Sequence, residues 1–180
     1  MASDDLPVSG LQYADAHGAG WAGLRAPGTL WEHVGLAGVD LTGADLRGAM
    51  FRHCCLDGAL LDRADLTDAR LVMCSFDGAT LRGAVLADAI TIGCTFAGAD
   101  VAGARGYAAC RDLVVEMLRR SIGDDLEAIE VVGAVAVQRK WCYAEWWELL
   151  ADRPRLRQLG LEIFATMPGS GCLEEFHRPD

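Results

Sequence analysis

The sequence predicts a mainly β solenoid, a stack of square coils followed by a helical region, and three regularities predict it. Every fifth residue from Trp31 to Val101 is Trp, Leu, Phe or Val, with Thr91 the one polar exception. From Leu36 onward a small residue stands two places before each centre, in a series running through Val34, Ala44, Cys54 and Cys74 to Ala99. Glycine stands two places after many centres, as at Gly38, Gly48 and Gly103. A helix repeats every 3.6 residues and a strand every 2, so neither gives a strict period of five.

The spacing has a direct geometric reading. The large and small residues of each pentad point inward, and the other three face out. Five residues make one side, and four sides bring the chain back above itself. Successive coils then stack at the interstrand spacing of roughly 4.8 Å. A corner every five residues needs backbone conformations that glycine tolerates best. On this reading residues 29–106 hold about 3.5–4 coils at that spacing.

The flanks obey other patterns. Residues 1–28 are rich in Gly and Ala; Trp21 keeps the phase while Leu24 and Pro27 leave it, which predicts an irregular N-terminal cap. Residues 107–168 read as α-helical. Leu113, Val114, Met117 and Leu118 share one helical face. Asp124 with Glu127 resembles a capping box opening a second helix, AEWWELL is a third helical run, and Pro154 suits the first turn of a fourth. Residues 169–180 read as a tail. The helices are expected to cap the solenoid, because an end coil exposes apolar interior and unpaired strand edges. Trp141, Trp146 and Trp147 also suit a dimer interface or partner platform.

Segments such as ADLRGAMF, ADLTDARL and ATLRGAVL resemble the A-[DN]-L-x-x pattern of the pentapeptide-repeat family. The resemblance implies a right-handed quadrilateral parallel β-helix. It also implies kinship with quinolone-resistance and topoisomerase-poison self-resistance proteins, acidic rod-like dimers that bind DNA gyrase or topoisomerase IV. This sequence shares the acidity but departs in length. Its coils would rise about 17 Å, roughly half of the ~34 Å turn of DNA, and a helical region replaces the short dimerising end of those proteins.

Composition narrows the function classes. A net charge of −10 argues against direct binding to nucleic acid, which needs Lys and Arg facing phosphates. No run of 18 apolar residues predicts a membrane span. The N-terminus MASDDLPVSG lacks the regions of a signal peptide, so a cytoplasmic location is expected. Seven cysteines in that setting are expected to be thiols.

Residues twenty apart stack, which sorts the sequence into four walls. One wall, centred on Leu46, Leu66 and Leu86, carries Asp45 over Asp65 and Asp68 over Asp88; another pairs Asp57 with Asp77. These six carboxylates are the candidate partner-binding residues, an acidic stripe for a basic groove. The competing explanation is that Asp simply recurs beside the repeat centre. A further wall, centred on Phe51, Leu71 and Thr91, exposes Met50, Val72, Met73, Ile90 and Ile92, an apolar face for docking the C-terminal helices or a second subunit. Cys54, Cys74 and Cys94 stack on the inward small position, where they fill volume and cannot readily close a metal tetrahedron. Cys55, outward and near His53, is the one cysteine to test for reactivity, and His33 stacks beneath His53.

No GxSxG, Walker loop, HExxH or dinucleotide fingerprint occurs, so no catalytic residue, cofactor or metal is expected. The expected function is a non-enzymatic interaction scaffold for a protein partner. Modulation of a type II topoisomerase is one alternative. An accessory or enzymatic role with a pocket between solenoid and helices is another.

Overall fold

A computed structural model of the chain describes residues 10–122 and 151–158 except 156. Five short strands form one parallel sheet in chain order: β1 (Gly10–Gln12), β2 (Leu30–Glu32), β3 (Met50–Arg52), β4 (Arg70–Val72) and β5 (Ile90–Ile92). Each pairs with the next at a register of twenty residues, as in Trp31 beside Phe51 and Phe51 beside Leu71. The other three sides are single-residue bridges at the same register, such as Asp45 to Asp65, Leu60 to Thr80 and Ser75 to Thr95. The fold is the expected parallel β-solenoid.

The stack begins earlier than the periodicity indicates. Residues 10–28, expected as an irregular cap, form a regular coil: β1 pairs with β2, and Asp15, Gly20 and Arg25 bridge to Gly35, Asp40 and Asp45. The reason lies in two exchanged side chains. Leu24 occupies the small position and Ala26 the large one, yet both are buried. Large and small remain paired inside, so the coil closes although the sequence phase looks broken. With this coil each wall has five rungs, and four intervals of roughly 4.8 Å give a stack about 19 Å tall.

Inward side chains make a continuous apolar column. Trp31 stacks on Phe51 with centroids 5.4 Å apart, and Phe76 stacks on Phe96 at 4.9 Å. Each fully buried Leu contributes about 1.5–3 kcal/mol relative to exposure. At the corners, carbonyls accept the amide three residues on, as when Ala49 N–H donates to Leu46 C=O at 3.0 Å. Gly48 within that turn has φ 66°, the left-handed conformation of a type II turn.

The top of the stack is closed by a 3-10 turn (Tyr107–Ala109) and helix α1 (Arg111–Ile122). Leu113 and Val114 are buried against the last coil. Gly106 makes the bend possible: φ is 75°, and a Cβ there would lie 2.8 Å from the backbone of Ala87. The expected runs at Asp124 and at AEWWELL, with Trp141, Trp146 and Trp147, lie outside the described residues, as do residues 1–9 and the tail. Pro154 and Arg155 are helical, and Arg157 N–H donates to Arg153 C=O at 2.9 Å. No helix among the described residues is long and apolar enough to cross a membrane.

Candidate functional site

The wall built from β1–β5 brings the expected apolar residues together. Met50, Arg70 and Ile90 share one outward column, and Arg52, Val72 and Ile92 share the next. Met73 (55% exposed), Ile90 (43%) and Ile92 (57%) stand open to solvent, while Met50 and Val72 are partly buried. Helix α1 does not lie across this wall; it packs on the end of the stack. The reason is hydrogen bonding. A last coil leaves backbone groups unpaired, and α1 brings polar side chains to them. The Asp112 carboxylate accepts Cys94 N–H at 2.9 Å. Arg120 donates to the carbonyls of Ala99 at 2.6 Å and of Phe96. Thr91, the lone polar centre of the repeat, is buried and accepts Asp112 N–H at 3.1 Å.

One corner of the strand wall carries a column of large side chains in the left-handed conformation: Tyr13, His33, His53 and Met73. Tyr13 stacks on His33 at 5.0 Å and His33 on His53 at 4.8 Å. Among the described residues no group of three His, Cys, Asp or Glu side chains could hold a metal.

The carboxylates divide into fold-making and free groups. Asp45 accepts hydrogen bonds from Arg47 Nε and Nη2, each at 2.8 Å, and this pairing holds its carboxyl below the usual carboxylate range. Asp65 accepts the hydroxyl and amide of Thr67. Asp57 takes the hydroxyl of Ser75 and, at 3.1 Å, the amide of Asp77 one coil above; Asp77 in turn accepts Ala97 N–H at 2.8 Å. These four therefore turn corners or tie coils together. Asp68 and Asp88 differ: they sit exposed at left-handed corners, φ 58° and 57°. The wall of Asp45 and Asp65 also bears Arg25, Arg47 and Arg105, so its charge is largely compensated. The wall of Asp15, Asp57 and Asp77 has no arginine among its outward residues.

Between β5 and α1 lies an open groove of about 720 Å³, walled by Ile90, Ile92, Val115 and Cys94, with Asp112, Glu116 and Arg119 on its rim. Its acidic groups are engaged. Asp112 holds the Cys94 amide, and Glu116 pairs with Arg119 at 2.7 Å and Arg120 at 2.9 Å. Those hydrogen bonds, that from Arg119 first, hold the Glu116 carboxyl low.

Cysteines take the expected positions. Cys55 is exposed, Cys54 and Cys74 are buried, and Cys94 is half-buried at the end of the same inward column. Burial pushes the Cys110 thiol, beneath the cap, up to about 12.

Four overlapping segments, spanning residues 36–105 together, match the family model of pentapeptide repeats. Residues 36–105 thus carry pentapeptide repeats. Solved pentapeptide-repeat structures align with the same solenoid. A protein from the Arabidopsis thaliana thylakoid lumen has 25% identity over 58% of this chain and 70% of its own, with a TM-score of 0.51. QnrB1, a plasmid-mediated fluoroquinolone resistance protein, has 27% identity over 52% of this chain and 47% of its own, with a TM-score of 0.50. The match thus spans less than half the length of QnrB1. No curated protein sequence matches the chain significantly. The pentapeptide-repeat scaffold explains the four walls; sequence reasoning missed Asp112 and Arg120 as end-capping groups, and the polar Thr91 was the one signal of where the cap attaches.

Proposed function

We propose that this pentapeptide-repeat chain is a non-enzymatic, cytoplasmic interaction module whose strand wall receives a protein partner. The observation that carries this reading is the exposure of Met73, Ile90 and Ile92 side by side on one five-strand sheet. Large apolar side chains grouped on a surface favour association, because covering them removes apolar area from water. The neighbouring wall of Asp57 and Asp77 and the corner of Asp68 and Asp88 supply an acidic rim, which favours a partner with basic flanks. A second copy of the chain would bring the same acidic rim against this one, so it is the less favoured occupant of the wall. Affinity capture from the native cell extract, comparing the parent with an Ile90→Asp/Ile92→Asp variant, tests this. The expected outcome is at least one stoichiometric partner held by the parent and lost, about tenfold or more, from the variant. Equal capture by both would remove the strand wall from consideration.

The likeness to QnrB1 favours a second reading, modulation of a type II topoisomerase. The groove between β5 and α1 offers little to the enzymatic alternative, since its carboxylates already have partners.

A further inference from the structure

Three thiols occupy consecutive rungs of one inward column: Cys54, Cys74 and Cys94. Their neighbours Cys55, Ser75 and Thr95 bridge in register, so successive Cα atoms lie about 4.8 Å apart. That falls within the roughly 4.4–6.8 Å range of disulfide-linked residues. The two lower thiols are buried, but Cys94 is half-buried and lines the groove beside α1. A small oxidant in the groove therefore reaches Cys94 first, and Cys74 stands directly beneath it.

From this arrangement we infer that Cys94 is a peroxide-modifiable thiol and Cys74 the thiol that resolves it into a disulfide between the last two rungs. A redox-sensitive cysteine is accessible, has thiolate character and has a second thiol at hand. Hydrogen bonding from Cys74 holds the Cys94 thiol below its ordinary range in spite of burial. Contact with the thiols above and below, together with burial, pushes Cys74 up. Cys74 therefore suits the second step, as a proton donor that then attacks, better than the first.

The chemistry balances with hydrogen peroxide as oxidant. The Cys94 sulfur attacks one peroxide oxygen; the S–O bond forms, the O–O bond breaks, and the leaving hydroxide takes up a proton as water. The Cys74 sulfur then attacks the Cys94 sulfenic sulfur; the S–S bond forms, the S–O bond breaks, and a second water leaves with the Cys74 proton. One peroxide is reduced to two waters and two thiols are oxidised to one disulfide. The disulfide ends the 3.3 Å hydrogen bond from Cys94 Sγ to Leu71 C=O and staples β5's coil to the one below.

Treatment of the full chain with hydrogen peroxide, followed by tryptic digestion without reductant, tests the assignment. Cleavage after Arg70, Arg82 and Arg105 separates the two cysteines, so the expected product is peptide 71–82 joined to peptide 83–105. The Cys55→Ser chain, lacking the exposed competitor, should give the same product. Cys94→Ala should abolish it, and Cys74→Ala should leave a sulfenic acid on Cys94 that dimedone labels. Circular dichroism of each variant checks that the β signal persists. Joining of Cys74 to Cys54, oxidation confined to Cys55, interchain linkage alone, or Cys94 passing to sulfinic acid in the parent would each overturn the proposal.

Discussion

Leu24 and Ala26 carry the clearest lesson at the scale of single residues. Elsewhere the pentad puts the small side chain first and the large one second, but here the order is reversed and both remain buried. Leu24→Ala alone should cost about 2–5 kcal/mol, as a large-to-small change in a packed core. Ala26→Leu alone should cost about 1–3 kcal/mol through overpacking. The double exchange restores the usual order and conserves volume, so its cost should fall below about 1.5 kcal/mol. Chemical denaturation of all four proteins measures the coupling; a double variant equal to the sum of the singles would show that the two sites do not share space. The repeat phase was legible from Leu36 to Val101 because sequence order and packing order agree there. It was illegible at Leu24 because only volume, and not order, is conserved across that pair.

Helix α1 shows what is decided at the scale of elements. Its apolar stripe was legible in Leu113 and Val114, which the structure buries, but its destination was not. Apolarity favours any covered surface equally, and the strand wall offered one. The end of the stack also offered unpaired backbone groups, and Asp112 and Arg120 fit them. Hydrogen bonds to a charged group contribute about 1.5–3 kcal/mol each, reduced here because Arg120 is partly exposed. Arg120→Ala should therefore speed amide exchange in the last coil, residues 96–104, about tenfold, since 1.4 kcal/mol is a factor of ten. Exchange at β2 and β3 should not change, because repeat coils interact only with their neighbours. Hydrogen-exchange mass spectrometry resolves the two regions, and uniform acceleration across all coils would show that α1 supports the whole stack and not its end.

Charge and height act at the scale of the whole molecule, and they bear on the topoisomerase reading together. The chain carries a net charge of −10, which suggested acidic mimicry of a nucleic acid. Within residues 10–105, however, eleven carboxylates face seven arginines, so most of the excess lies outside the coils. Asp45 is paired with Arg47, Asp100 with Arg82, and Glu32 with Arg52. A surface that imitates duplex DNA needs unbroken negative charge along its length, since a duplex carries one charge per roughly 1.7 Å. It also needs length, and a stack of about 19 Å covers little more than half of a ~34 Å turn. The twenty-residue register sorted the carboxylates into walls already in the sequence, but not their pairing, because only side-chain geometry joins Asp45 to Arg47 and Asp100 to Arg82. The expected outcome is that the purified chain, in excess over DNA gyrase, leaves supercoiling unchanged at low salt, where such electrostatic contacts are strongest. It should likewise give no protection against a fluoroquinolone. Inhibition or protection that weakens as salt is raised would reverse the ranking, and would place the acting surface on the uncompensated carboxylates Asp57, Asp77, Asp68 and Asp88, since these lack arginine partners among the described residues.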